Sequence, residues 1–398
     1  MTAPRLEIDL DKIHHNARTL VDRLGARGIS VTGVTKAVLG APEIAAALIR
    51  AGVVALGDSR IGNIATLRGA RIVAPIMLIR SPMLSQVEKV VAQAETSFNT
   101  ELDVVSALSQ AAIAARRTHG IMLMVELGDL REGIMPGDLE SFVHAMLDFP
   151  GTALRGIGTN LACRSGVAPD ARNMAELSVL ADSIDATFGH RLRPRLGSAA
   201  GSGLEIVSGG NSANLQWALS GADTGRINDL RLGEAILLGC EPLRRQPIEG
   251  LYTDAFTLIA EVIETKVKPS KPWGDIAQTA FGATPTPATD RISEPAAEQS
   301  RTTQTILALG RQDIDPDGLL PPAGIDILGA SSDHLIVDSG GSRLSVGAEV
   351  RFQLNYSALL RAMTSPFVVQ VVKTASGCRQ SKTKQPPESV QLEFQAAS

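Results

Sequence analysis

The chain has 398 residues, 44% of them hydrophobic and 20% charged, which exceeds one ordinary core and fits a soluble globular protein of about two domains. A net charge of −4 with no long basic run, and only 3% aromatics, argue against nucleic acid, an anionic membrane or a base-stacking platform. Cys163, Cys240 and Cys378 lie far apart without CxxC spacing, which disfavours a disulfide framework or a thiolate zinc site and suits a reducing cytoplasm.

The opening MTAPRLEIDLDKIHHNA carries charges within its first ten residues and lacks the apolar core of a signal peptide. No uncharged apolar stretch approaches the roughly 20 residues a membrane span needs. Short apolar runs then recur: VTGVT (31–35), VVAL (53–56), APIMLI (74–79), TSFN (96–99), IMLMVEL (121–127), LRGIGTNL (154–161), LEIVSGG (204–210) and INDLRLG (227–233). Between most of them lie segments with apolar residues at i, i+3 and i+4, such as ELDVVSALSQAAIAARR and ARNMAELSVLADSIDATF. Eight strands separated by helices read as parallel βα units. Eight is also the count that closes a barrel, so a (β/α)8 TIM-type barrel over 1–245 is expected, ahead of an open doubly wound sheet.

After about residue 245 the rhythm changes. YTDAFTLIAEVIETKVK, TTQTILALG, DILGASSDHLIVD and SVGAEVRFQL are alternating or β-branched runs broken by Gly and Pro. A mostly β C-terminal domain is expected over 246–373. The stretch 282–302 reads as a flexible insertion, and the polar residues 374–398 as a disordered tail.

Lys36, at the end of the first barrel strand in VTGVTKAVLG, interrupts an apolar run. A lysine there either snorkels to the surface or is a desolvated amine with a lowered pKa, the form that makes a Schiff base. The active site of such a barrel lies at the C-terminal ends of its strands. Arg131 (ELGDLREG), Asn160 and Cys163 (GTNLACRSG), Asn211 and Ser212 (SGGNSANL) and Arg231 (LRLGEA) all fall at such ends. Together they make a pocket for an anion. The loops after the seventh and eighth strands, with Gly209, Gly210, Ser212, Gly233 and Glu234, occupy the usual phosphate position of this fold. Turn glycines and helix caps are the ordinary alternative. A phosphate beside a buried lysine suggests pyridoxal phosphate (PLP), with a phosphosugar aldolase or isomerase left open.

The motifs EIDLDKIHHN, VTKA, GDSRIGN, VELGDLREG, GIGTNLAC, SGGNSANL, LRLGEAILLG, GRQD (310–313) and GASSDHLIVD together resemble the alanine racemase-like PLP enzymes, and within them the ornithine racemase group, over nearly all of residues 4–370. The resemblance implies a fold-type III PLP enzyme: the barrel, the β domain and a head-to-tail homodimer in which each C-terminal domain faces the partner's barrel. It implies that Lys36 carries PLP as a Schiff base, that Arg231 bonds the pyridine nitrogen and that Arg131 sits near the phenolic oxygen. Ser212, with the backbone around Gly233 and Glu234, would hold the phosphate. Asn160 stands where alanine racemases carry a histidine against the cofactor, and Asn211, after the seventh strand, is counted with it in the cofactor-binding set.

Three family tyrosines are missing. Trp273 occupies the place of the second catalytic base, Arg311 replaces the tyrosine of a GYxD motif, and Leu39 lies near the place of the phosphate-binding one. A racemase needs an acid/base on both faces of a planar carbanion. Lys36 can serve one face. Asp333, Cys163, His334 and Asp313 are candidates for the other, with Asp333 and Cys163 preferred. Ornithine or a similar basic amino acid is the expected substrate, its side-chain ammonium needing a carboxylate, for which Asp313 and Asp333 stand ready. The alternatives are racemisation of alanine or a broad set of amino acids, D-amino-acid aldol cleavage, and a non-catalytic PLP carrier. The β-rich 246–373 region disfavours the carrier, a class that lacks such a domain.

Overall fold

In the computed structural model, residues 3–192, 203–274, 280–281, 300–341, 343–374 and 377–380 are described. They form two compact units, one of Leu10–Ala255 and one that joins Met1–Asp9 to the chain from Phe256 onward. The first nine residues therefore belong with the C-terminal domain, and the boundary falls ten residues later than residue 245. The reason is strand pairing. Strand β1 (Arg5–Asp9) lies antiparallel to β10 (Phe256–Pro269), with Leu6 opposite Leu258, and parallel to a strand at Val369–Thr374. Leu6 and Ile8 are fully buried there.

In the first unit β2 (Ser30–Val34), β3 (Ala55–Asp58), β4 (Ile76–Leu78), β5 (Thr96–Asn99), β6 (His119–Met124), β7 (Thr152–Gly158), β8 (Ile206–Ser208) and β9 (Asp229–Leu232) close into one parallel barrel. All eight lie on the eight apolar runs of the sequence. Most of the intervening helices follow the 3.6-residue period. In Leu10–Gly25 the buried set includes Leu10, Ile13, Ala17, Leu20 and Leu24, one stripe facing inward. The barrel's apolar filling includes Ala55, Met77, Phe98, Met122 and Met124. Gly156 is where β7 comes closest to β8: a Cβ there would lie 1.9 Å from the Ile206 carbonyl oxygen.

The second unit is one sheet. Besides β1 and β10 it contains β11 (Arg301–Leu307), β12 (Leu319–Leu320), β13 (Asp326–Ala330), β14 (Leu335–Asp338), β15 (Glu349–Leu354), β16 (Val369–Thr374) and β17 (Gly377–Gln380). Every pairing except β1–β16 is antiparallel. The tail expected to be disordered from residue 374 begins with a strand. Backbone pairing of Gly377–Gln380 with β16 needs no apolar side chains. Residues 381–398 lie outside the described residues, as do 282–299 of the expected insertion, whose last two residues already belong to β11. No described helix is long and apolar enough to cross a membrane.

Candidate active site at the C-terminal rim of the barrel

β2 ends at Val34, and Lys36 opens a single turn of 3-10 helix, Lys36–Val38. Thr35, fully buried, donates its hydroxyl to Asp58 Oδ2 at 2.7 Å. Asp58 ends β3 and also accepts from Arg60 N at 2.9 Å and Asn63 Nδ2 at 3.0 Å. This carboxylate locks the turn that carries Lys36. Burial drives the Lys36 ammonium below the usual lysine range. Cys163 opposes that shift, Arg131 and Arg231 add to it, and Asp58 opposes it. Lys36 is half-buried, and its surroundings favour the neutral amine.

Arg131 rides on the loop after β6. Glu126 organises that loop from within: its Oε1 accepts from Gly128 N at 2.6 Å and Leu130 N at 3.0 Å, and its Oε2 from Arg131 N at 3.1 Å. The neighbouring Asp129, 1% exposed, accepts from Arg164 N and Ser165 N and so joins this loop to the one after β7. That second loop holds Asn160 and the exposed thiol Cys163. Three non-glycine residues with positive φ flank the site residues: Leu39 (53°), Leu130 (53°) and Ala162 (58°). Such backbone costs on the order of 1–3 kcal/mol each and gathers at functional sites.

The Asn160 amide lies between two donors. Asn211 Nδ2 is 2.8 Å from one terminal atom and Arg131 Nη1 is 2.9 Å from the other. A single amide oxygen can satisfy only one of them. Asn211 also donates to the Leu161 carbonyl at 2.9 Å and caps the turn Ser212–Asn214 through Ala213 N at 2.8 Å. Gly210 has φ +141°, and a Cβ there would lie 2.1 Å from Asn214 Oδ1, so only glycine fits. The Ser212 hydroxyl accepts from Ala235 N at 3.2 Å, which ties the loops after β8 and β9 together. Gly233 sits close against the end of β2. The Glu234 side chain is committed to an ion pair with Arg245.

Arg231, 6% exposed, is held by Ser208 Oγ at 2.5 Å and the Thr159 carbonyl at 2.6 Å, with its guanidinium 5.0 Å from the Phe98 ring centre. Burial pulls it down to about 10, Asp229 opposing and Arg131 adding to the fall. Lys36, Arg131, Asn160, Cys163, Asn211, Ser212, Arg231, Gly233 and Glu234 thus all come from the C-terminal ends of barrel strands or the loops that follow.

The remaining candidates belong to the other unit. Asp333 is exposed in the turn between β13 and β14 and accepts from Gln312 Nε2. His334 is exposed and pairs with Ser331. Asp313 departs from expectation: it is 8% exposed, and its oxygens take Ser365 Oγ at 3.0 Å and Gly310 N at 3.3 Å. It is buried and closes its own turn. Trp273 is 61% exposed. Arg311 lies 5.5 Å over Phe281, and its Nε has no partner among the described residues. Asp58, Glu126, Ser208 and Asp229 were not singled out in the sequence. Their signal was acids and a serine at the ends of apolar runs, in GDSR, VELG, IVSGG and INDLR.

Fold and rim together define a (β/α)8-barrel protein with a half-buried lysine set among arginine, amide and hydroxyl groups at the C-terminal rim. The sequence model described as alanine racemase, N-terminal domain, matches residues 8–240. The chain belongs to the alanine racemase family. It is 37% identical over 373 residues to the lysine racemase of Thermotoga maritima, covering 93% of this chain and 99% of that protein. It is 36% identical over 369 residues to the ornithine racemase of Acetoanaerobium sticklandii, covering 92% and 98%. The solved alanine racemase of Clostridium difficile shares the fold with a TM-score of 0.68 at 17% identity, covering 97% of this chain and all of that one.

Proposed function

We propose that the chain is a PLP-dependent racemase that interconverts the L- and D-forms of a basic amino acid, ornithine or lysine. The observation that carries this reading is Lys36: a half-buried amine whose proton affinity desolvation lowers, within electrostatic reach of two arginines, at the C-terminal end of a barrel. The two relatives that match over nearly their full length, named for lysine and ornithine, support the substrate class.

The donor set fits the cofactor. An amine suits its aldehyde, a hydroxyl with adjoining loop backbone suits its phosphate, and two guanidiniums and two amides suit the oxygen and ring. The nearby carboxylates Glu126 and Asp129 are turned onto backbone N–H groups, while Glu132 pairs with Arg131 Nε at 2.7 Å and leaves the Nη groups on the Asn160 side. Lys36 would hold PLP covalently, Arg231 its ring nitrogen, and Arg131 with Asn160 and Asn211 its phenolic side. Ser212 and the backbone of Gly233 and Glu234 would hold its phosphate. When bound, PLP supplies an electron sink that acidifies the α-C–H bond of an amino acid.

The rest falls to this chain. Lys36 Nζ, unprotonated more readily than an exposed lysine, takes or returns the α-proton on one face. Cys163, an exposed thiol within electrostatic reach of Lys36, is our candidate for the opposite face. Arg231 keeps its proton at neutral pH and so donates to the ring nitrogen without protonating it, which restrains the sink and favours proton exchange over transamination. Asp333 is our choice for the substrate's side-chain ammonium, contributed by a second copy of the chain in a head-to-tail homodimer. Cys163 and Cys240, both free thiols, fit a reducing cytoplasmic setting.

Borohydride reduction of the PLP-treated protein, followed by peptide mapping, tests the reading. Label on the peptide containing residue 36 supports it. Label on another lysine, or none, overturns it.

A further inference from the structure

A buried carboxylate, Asp229, lies beside Arg231, and the chemistry above does not use it. Asp229 precedes Arg231 by two residues on β9, so the two side chains share a face of the strand. It is 3% exposed. Its carboxylate joins three strands: Oδ1 accepts from Thr32 Oγ1 on β2 at 2.7 Å, and Oδ2 from Ser208 Oγ on β8. Ser208 Oγ in turn accepts from Arg231 Nη1 at 2.5 Å.

That chain of bonds has a direction. A serine hydroxyl has one proton. Asp229 takes it, so the lone pairs of Ser208 must face the guanidinium. Reversal would set a hydroxyl proton against an N–H. A guanidinium this buried also needs a counter-charge close by, because an uncompensated charge in the interior is strongly destabilising. Asp229 is the carboxylate that acts most strongly on it. The other charged or titratable groups acting on Arg231 are Arg131 and Glu132 after β6 and Cys163 after β7, with Lys36 after β2.

We propose that Asp229, acting through the Ser208 hydroxyl, is the positioning residue of Arg231. It supplies the buried counter-charge and fixes the guanidinium edge offered to the cofactor ring. This rests on the proposed function. It assigns a task to a carboxylate that touches neither cofactor nor substrate.

Two variants of the full chain separate charge from hydrogen bonding. Ser208→Ala keeps both charges and cuts the relay. It should weaken PLP binding about tenfold and lower kcat about tenfold, with KM within about twofold of the parent. Asp229→Asn keeps an acceptor for Ser208 and removes the charge. Loss of a nearby negative charge disfavours protonated forms, so the pH midpoint of the bound cofactor's visible absorbance should fall by about one unit. A parental midpoint in Asp229→Asn, or a parental PLP affinity in Ser208→Ala, overturns the proposal. If Asp229→Asn does not fold, Ser208→Ala decides alone. If the parent chain does not capture PLP at residue 36, the proposed function fails instead. The positioning role is then read in the cofactor-free proteins, as the rate at which phenylglyoxal modifies Arg231: about tenfold faster in Ser208→Ala supports it, and equal rates overturn it.

Discussion

Replacing Glu126 by Gln removes one negative charge and one acceptor from the loop that carries Arg131. The carboxylate holds three backbone N–H groups, two on Oε1 and one on Oε2. A glutamine can keep its oxygen where Oε1 stands, at 2.6 Å from Gly128 N and 3.0 Å from Leu130 N. Its NH2 must then face the Arg131 N–H, 3.1 Å from Oε2 in the parent. One charge-assisted bond becomes a donor–donor contact, and the other two lose their ionic character. Hydrogen bonds to charged groups are worth about 1.5–3 kcal/mol, and an unsatisfied donor costs a similar amount. Glu126 is only 9% exposed, so water offers little relief. A loss of about 3 kcal/mol in loop order follows, equivalent to roughly a hundredfold in the population of the formed loop. PLP affinity, measured by absorbance titration of the cofactor-free protein, should fall by up to about that factor. Affinity within twofold of the parent would show that the Glu126 cradle does not hold Arg131 in place.

Two further outcomes follow from buried titratable groups. Lys36 has a folded pKa below its unfolded value of 10.5, so the unfolded chain binds protons more readily and the native state is penalised below the folded pKa; the penalty is relieved as pH rises from there to 10.5. Lys36→Met should therefore raise the melting temperature of the cofactor-free protein by about a few degrees at pH 7. The gap should close towards pH 10.5, and a lower melting temperature at pH 7 would contradict the burial argument. His119, 2% exposed and bonded to Ser97 Oγ at 2.8 Å, is pushed by burial from 6.5 to about 4. Its folded state binds the proton less readily, so stability drops as pH falls from 6.5 to about 4, on the order of 3 kcal/mol in all. His119→Gln should flatten that acid limb in thermal melts, and an unchanged limb would remove His119 as its cause.

The barrel was legible because each of its strands is a short apolar run bounded by helical periodicity, and that pattern is local. Lys36 and Arg231 were legible for a related reason: a cation at the end of an apolar strand is costly unless something receives it. Strand β1 was hidden because its partners lie at Phe256–Ile259 and Val369–Lys373, far along the chain. Strand β17 was hidden because its ladder with β16 is made by backbone pairing, which leaves no apolar pattern to read in the sequence. Asp58, Glu126 and Asp229 look like ordinary strand-end acids in sequence. Their importance lies in the backbone N–H and hydroxyl donors they receive, which only the folded chain brings to them. Asp313 differs in the opposite sense: it looked exposed in sequence, and in the fold it is buried and bonded within its own turn and to Ser365.

Racemisation of basic amino acids is measured directly as loss of optical purity by chiral chromatography. The PLP-loaded protein is incubated in turn with L-lysine, L-ornithine, L-norvaline and L-alanine, with Lys36→Ala as control. Lysine or ornithine should be carried to the racemic mixture with kcat/KM at least about a hundredfold above norvaline, which matches ornithine's carbon chain but lacks its amine and so forfeits a charge-assisted bond. The Lys36→Ala protein should show no racemisation. Alanine or norvaline as the best substrate would contradict the basic-substrate reading, and no racemisation of any amino acid by the loaded parent protein would contradict racemase activity itself.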